Sequence, residues 1–298
     1  MRQTTLGTTD IQIGQIAYGC WRFAGSTLEE ADEKIRTALD HGITLIDTAD
    51  IYGFGEPAGF GGAEVRLGEV LSMDKGLRDK MVLATKGGII PPRPYDSSYD
   101  YLMEALDNSL LRLRTDYVDL YQIHRPDLTV PFQEQARALN DMVKSGKARH
   151  VGVSNFTIAQ TRALQAHLNA PLVSVQPEFS ALEQSPMTDG TLDYASETGA
   201  TAFAWSPLAG GKLATGKGGD TKQFARIMKT LDRLATDHEA TRSQIALAFT
   251  MKHQANVVPI IGTQKIERIA ESAATADIKL SDRDFYDVVE AYRGADMP

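Results

Sequence analysis

Residues 118–153 read VDLYQIHRPDLTVPFQEQARALNDMVKSGKARHVGV. The apolar run Val118–Ile123 reads as a buried strand, Pro131–Ser145 as an amphipathic helix, and His150–Val153 as a second strand. Strand, helix, strand within this span is a βαβ unit, and such a unit makes a parallel pair of strands. The same alternation runs outward in both directions. Upstream strands are expected at Ile16–Cys20, Thr44–Asp47 and Met81–Thr85, and downstream ones at Val173–Pro177, Ala200–Trp205 and Val257–Ile261. That makes eight.

Helices fill the intervals. Leu28–Asp40 opens after Ser26-Thr27 as capping residues and stops at His41-Gly42. Ala63–Leu71, Tyr99–Arg112, Ile158–Leu168, Leu192–Glu197, Ser243–Lys252 and Ile266–Thr275 follow the other strands, and Thr221–Asp237 and Asp282–Arg293 are extra. The opening segment, Thr4–Gly7 and Ile11–Ile13 around Thr9-Asp10, reads as a small β-hairpin capping the barrel bottom. Eight units without a long linker, in a chain of 298 residues, predict an α/β fold. The expected form is one (β/α)8 TIM barrel over residues 1–298, with an N-terminal β-hairpin and extra C-terminal helices. An open doubly wound sheet is the alternative, because the pattern carries no strand order.

Composition narrows the role. Lys plus Arg number 31 and Asp plus Glu 39, a formal charge of −8 spread along the chain. Nucleic-acid and membrane-surface binding favour basic patches, so neither partner is expected. Cys20 is the only cysteine, which excludes an internal disulfide and a thiolate metal cluster. The six histidines show no ligand spacing, and no metal is expected. Met1 to Gly14 lacks a signal peptide's apolar block, and no apolar run approaches the roughly 18–20 residues of a membrane span. The expected location is the cytoplasm.

In a barrel of this kind, functional groups gather where strands end. Here the first strand ends in Gly19-Cys20-Trp21 and the second in Asp47; Lys86 follows the third, His124 the fourth and Ser154-Asn155 the fifth. Gln176 lies on the sixth, Trp205-Ser206-Pro207 ends the seventh, and Ile261-Gly262-Thr263 ends the eighth. Singly each has an ordinary reading: Asp47 as a turn residue, Lys86 as a solvated loop lysine, His124 as a structural histidine, Tyr52 as a loop aromatic. Together they place a carboxylate, an ammonium, a phenol and an imidazole on one rim, a set suited to carbonyl reduction. A phenol titrates near pH ~10, a nearby ammonium lowers that value, and a carboxylate keeps the ammonium charged. Tyr52 can then give a proton to a carbonyl oxygen, with His124 as a neutral donor that polarises it.

Some motifs carry nothing. Gly211-Lys212-Leu213-Ala214-Thr215-Gly216-Lys217-Gly218 approaches a P-loop but has Gly218 where magnesium needs Ser or Thr, and it reads as a mobile loop. Glycines 53, 55, 59, 61 and 62 miss the dinucleotide-binding spacing and read as a flexible loop beside Tyr52. Trp21 and Phe23, just past the first strand, are placed in the pocket wall rather than the core.

The segment Asp47-Thr48-Ala49-Asp50-Ile51-Tyr52-Gly53 resembles the signature of the aldo-keto reductases. So do Ala84-Thr85-Lys86, Gln122-Ile123-His124-Arg125-Pro126-Asp127 and Gly152-Val153-Ser154-Asn155-Phe156. Trp205-Ser206-Pro207-Leu208-Ala209-Gly210-Gly211 and Pro259-Ile260-Ile261-Gly262-Thr263-Gln264-Lys265 complete the set, in order and across the chain. Within the family the chain is most similar to bacterial oxidoreductases of the YdhF kind.

The resemblance implies that Tyr52 is the proton donor, Lys86 and Asp47 tune it, and His124 fixes the substrate carbonyl. It implies that Ser154, Asn155 and Gln176 hold the nicotinamide carboxamide, with Trp205 stacked on the ring. Gly19, Cys20, Trp21 and Asp47 join these cofactor contacts. Ser206, Pro207, Leu208, Gly210 and Lys212 would wrap the pyrophosphate. Ile261, Gly262, Thr263, Lys265, Arg268, Glu271 and Ser272 would take the adenosine end. Lys265 and Arg268 beside helix N-terminal amides suit a 2′-phosphate, so NADPH is the expected cofactor; a solvated helix face, with Glu267 and Glu271 interleaved, is the alternative. Ser272 and Trp205 stand where many members carry Asn and Tyr.

Substrate contacts fall to Trp21, Tyr52, Phe54, His124 and Trp205, an apolar and aromatic-friendly site. The family's variable walls correspond to Ile89–Ser98, Leu208–Asp220 and Asp277–Pro298. The partner is a small-molecule carbonyl compound, and the expected state is a monomer. Two rivals remain: a Schiff-base lyase with Lys86 as nucleophile, and an NADPH-binding redox-sensing subunit with little turnover.

Overall fold

The computed structural model describes residues 2–298; Met1, at the head of the stretch read for a signal peptide, lies outside the described residues. Strands β1 (Gln3–Thr5) and β2 (Gln12–Gly14) form an antiparallel hairpin, with Thr4 opposite Ile13. Eight strands then run parallel: β3 (Ala17–Gly19), β4 (Leu45–Asp47), β5 (Val82–Gly87), β6 (Val118–Ile123), β7 (Ala148–Ser154), β8 (Ser174–Gln176), β9 (Thr201–Ala204) and β10 (Val257–Ile261). Each pairs with its neighbour in the chain, and β10 returns to β3, so the sheet is a closed barrel. Closure excludes the open-sheet alternative.

Around it lie α1 (Leu28–Asp40), α2 (Gly62–Met73), α3 (Tyr99–Leu113), α4 (Phe132–Lys144), α5 (Ile158–Gln165), α6 (Thr191–Thr198), the single turn α7 (Lys212–Thr215), α8 (Lys222–Asp237), α9 (Arg242–Lys252), α10 (Ile266–Ala274) and α11 (Asp282–Arg293). Several begin where sequence chemistry says they should. Thr27, Thr157, Thr241 and Ser281 each accept a hydrogen bond from the backbone three residues on, and the side chain there returns the bond. Ser26 is not the cap of α1; its hydroxyl accepts a hydrogen bond from Lys34 instead. The segment expected as a mobile loop from Gly211 contains the helical turn α7.

Alternation along the strands sorts the side chains into two shells. Leu45, Val82, Ala84, Leu120, Phe203, Val258 and Ile260 point inward and pack with Leu6 and Ile13 of the hairpin segment, which seal the barrel floor. Ile46, Leu83, Tyr121, Ile123, Val151 and Val153 point outward and form the larger core beneath the helices. Val257–Ile261, an unbroken apolar run covered on both faces, and Val118–Ile123, buried throughout despite Asp119 and Gln122, match the expected spans to the residue.

Polar strand ends were read short. β5 continues through Lys86 and Gly87, which pair with Gln122 and Ile123 of β6, and β7 continues through Ser154. A backbone ladder does not stop where apolar side chains do. Lys86 is therefore a strand residue on the same inward face as Val82 and Ala84, not a residue of the following loop.

One glycine inside the barrel is there for space. A Cβ on Gly152 would lie 2.0 Å from the Ser174 hydroxyl. Gly152→Ala is expected to destabilise the fold by about 1–3 kcal/mol through overpacking, and Ser174→Gly to recover part of the loss in the double mutant. Urea midpoints of the four proteins check this; strictly additive effects would show that the contact does not act.

Candidate active site

The inward alternation that gives an apolar floor gives a polar ceiling. Gly19, Asp47, Lys86, Ser154 and Gln176 lie at the C-terminal ends of their strands, and His124 and Trp205 follow β6 and β9 directly. Lys86 is fully buried, and its ammonium donates to Asp47 Oδ2 and to the Thr48 carbonyl, both at 2.7 Å. The other Asp47 oxygen accepts from Gln176 Nε2 at 3.2 Å. Both carboxylate oxygens are thus held.

Tyr52 sits in the turns that leave β4. Its backbone N–H donates to Ala49, its carbonyl accepts from Ala63 at the start of α2, and the Asp50 N–H donates to Lys86 of β5. The glycine-rich stretch that follows is a run of hydrogen-bonded turns rather than a loose loop. Gly53 is needed there: its φ is +101°, and a Cβ would meet the Gly59 carbonyl at 2.5 Å. Lys86 Nζ lies 5.1 Å from the centre of the Tyr52 ring. His124 meets that ring edge-on, with centroids 5.8 Å apart, and its Nδ1 is buried without a hydrogen-bond partner.

A second set of bonds orients the opposite wall. Trp205 Nε1 donates to Asn155 Oδ1 at 2.9 Å, while Asn155 Nδ2 donates to the Ser154 hydroxyl and to the His124 carbonyl. Ser154 in turn donates to the Gln176 carbonyl. Asn155 adopts φ +60°, a backbone state that asparagine tolerates better than most residues.

Electrostatics sets three protonation states. Burial pushes the Tyr52 phenol up, Asp47 adds to the rise, and Lys86 offsets it only in part. The expected lowering of this phenol is therefore corrected: desolvation outweighs the ammonium, and Tyr52 keeps its proton at neutral pH. Burial alone would lower the Lys86 ammonium, but Asp47 and Tyr52 outweigh it and the group is held charged. His124 is pushed well below its usual value by burial, with help from Lys86 and Arg125, and stays neutral.

Above these groups opens a cavity of about 660 Å³. Of the residues expected in the site, Gly19, Trp21, Asp47, Tyr52, Phe54, His124, Ser154, Asn155, Gln176 and Trp205 line one part of it. Ser206, Pro207, Leu208, Gly210, Ile261, Gly262, Thr263, Lys265, Arg268, Glu271 and Ser272 line the remainder. Lys86 lies behind the wall.

Four expectations fail. Cys20 is buried in the outer core, where burial holds its thiol protonated, and Phe23 is buried in the same core; neither lines the cavity. Alternation explains Cys20, since Gly19 takes the inward position. Lys212 is exposed on α7, outside the wall. Of the variable segments, 89–98 and 277–298 contribute no wall residue, while 208–220 contributes residues as far as Thr215. Arg22, Glu56, Arg125, Ser243 and Gln264, which carry no expected role, also line the cavity. Position alone could have flagged Arg22 and Arg125, each one residue past an expected site residue.

The wall fits a nicotinamide dinucleotide. Gly210 and Gly211 both have positive φ, and a Cβ on either would meet nothing within 4 Å, so the chain there presents bare backbone. Lys265 caps α10 and Arg268 lies in its first turn; neither cation forms an ion pair among the described residues. The same described residues hold no cluster of potential metal ligands, and no helix among them is long and apolar enough to cross a membrane.

Comparison with known proteins agrees with this arrangement. The sequence model of the Aldo/keto reductase family matches residues 15–293. A 6-dehydroglucose reductase of Novosphingobium aromaticivorans is 47% identical over 98% of this chain and 96% of its own length. The oxidoreductase YdhF of Escherichia coli is 31% identical over the whole of both chains. A crystal structure of a thermostable aldo-keto reductase with the inhibitor epalrestat superposes with a TM-score of 0.84 at 30% identity, covering 98% of this chain and 100% of that one. A closed eightfold barrel, a family match over nearly all its length and reductases among its relatives make this chain a member of the aldo/keto reductase family, an oxidoreductase of a group that works with nicotinamide cofactors.

Proposed function

We propose that the protein reduces aldehydes or ketones to alcohols with NADPH, and that Tyr52 gives the proton to the carbonyl oxygen. The observation that carries this reading is the buried Lys86–Asp47 pair beneath a protonated phenol. The reduced nicotinamide, when bound, supplies the hydride. Ser154, Asn155, Gln176 and Trp205 would hold the nicotinamide end, and Lys265 and Arg268, which form no ion pair among the described residues, would take the 2′-phosphate that distinguishes NADPH.

The chain's own part is proton delivery. As Tyr52 gives up its proton, negative charge grows on a desolvated phenolic oxygen. The Lys86 ammonium stabilises that charge, and Asp47, tied also to Gln176, keeps the ammonium charged and in place. Neutral His124 has one N–H to give and polarises the carbonyl oxygen without adding a proton of its own. A Schiff-base role for Lys86 is disfavoured, because a nucleophilic lysine must be a free amine and Asp47 holds this one charged. A sensor without turnover is disfavoured by a complete set of proton-handling groups. The name of the Novosphingobium relative makes 6-dehydroglucose, a sugar aldehyde, the first natural substrate to try.

Tyr52→Phe is expected to lower kcat by about 10²–10⁴-fold while NADPH binding, read by fluorescence, is retained. Retained turnover would remove Tyr52 as the donor. NADPH is expected to bind at least tenfold tighter than NADH, and Lys265→Ala with Arg268→Ala to abolish that difference; equal affinities in the wild type would sink the choice of cofactor. Since His124 stays neutral through the physiological range, kcat/KM is expected to show no step near pH 6.5. A step there would mean that the imidazole titrates normally and would overturn its neutral role.

A further inference from the structure

Arg125 stands one residue past His124, half-buried in the cavity wall, with its guanidinium 5.8 Å from the centre of the Trp205 ring. It makes no hydrogen bond and no ion pair through its side chain among the described residues. Glu178 is near enough to feel its charge and still forms no ion pair with it. A guanidinium carries five donors in a rigid fork, and partial burial against an indole removes water without replacing it. Such a group is left to be satisfied by a ligand.

The neighbouring wall has matching chemistry. Trp21 and Phe54 line the cavity and are 59% and 55% exposed, so two aromatic surfaces stand uncovered there. Arg22, whose guanidinium lies 5.9 Å from the Trp21 ring, and Glu56 also line the cavity, and neither side chain has a hydrogen-bond or ion-pair partner among the described residues. Apolar aromatic faces interleaved with unsatisfied donors and an acceptor suit a carbon chain that bears oxygen on most of its atoms. They suit a plain hydrocarbon poorly, since it would cover the donors and leave them unpaired. The site is thus more polar than the aromatic residues alone imply.

We propose that Arg125 is a specificity-determining residue that binds oxygen atoms on the carbons beyond the reacting carbonyl, so that the enzyme selects polyoxygenated aldehydes over hydrocarbon aldehydes of equal length. This rests on the reductase reading above. The oxygens are hydroxyls or an attached phosphate, which share the acceptor chemistry that a guanidinium recognises. A pocket that hydrogen-bonds its substrate discriminates strongly against the analogue lacking those atoms.

The test compares D-glyceraldehyde with propanal, on the concentration of unhydrated aldehyde, in the wild type, Arg125→Met and Arg125→Lys. The wild type is expected to favour glyceraldehyde at least tenfold in kcat/KM. Methionine keeps the apolar stem against Trp205 and removes the donors, so the ratio should fall about tenfold or more, through KM for glyceraldehyde rather than kcat. Lysine, a point charge without the fork, should give an intermediate ratio. Glyceraldehyde 3-phosphate separates the two sources of oxygen: a larger loss than for glyceraldehyde assigns Arg125 to an anionic group, an equal loss to hydroxyls. A wild-type preference for propanal, or equal losses on both aldehydes in Arg125→Met, would overturn the proposal. No turnover of any aldehyde by the wild type would overturn the reductase reading itself, and this inference with it.

Discussion

The Lys86–Asp47 ion pair is the constraint on which the upper half of the barrel depends. Two opposite charges lie 2.7 Å apart with almost no access to solvent. Removing them from water costs several kcal/mol each, and their attraction repays this only when the remaining hydrogen-bonding capacity is also met. Here the Thr48 carbonyl accepts a second N–H of the ammonium, and the Gln176 amide donates to the other carboxylate oxygen. Three strands and a turn are therefore tied to one charge pair. The Tyr52 phenol is packed against the charge that this pair maintains.

The opposite face of β5 carries a second polar cluster that fixes the first from behind. Thr85 points outward where Lys86 points inward, and its hydroxyl meets Glu64 of α2, which also accepts from Arg112 of α3. Tyr101 reaches Asp50 in the turn that carries Tyr52. Burial, and after it the charge of Glu64, raises the Asp50 carboxyl well above the ordinary range. Barrel, helix layer and turn are thus joined by hydrogen bonds, where apolar contact alone would leave the turn free to rotate.

Much of the barrel was legible because its periodicities are strict. Leu28–Asp40 and Asp282–Arg293 have caps that announce them, and Val118–Ile123 and Val257–Ile261 are buried throughout. What escaped was set by geometry rather than composition. Lys86 looked like a loop residue because apolar runs end before ladders do. Cys20 looked like a wall residue because one step along a strand turns a side chain to the other face. The rim groups Asp47, Tyr52 and His124 were legible from chemistry that only makes sense together. Arg125 was legible by position only; whether an arginine has a partner is known only when every nearby carboxylate has been located.

The hairpin floor has a consequence for traffic. Leu6 and Ile13 close one end of the barrel, and Gly7 is pinned there by its bond to Thr201. Below the polar rim the barrel is filled with packed side chains, not hollow. Whatever comes to lie against Asp47 and Tyr52 reaches them from the open side of the barrel, where Trp21, Phe54 and Arg125 stand in the cavity wall.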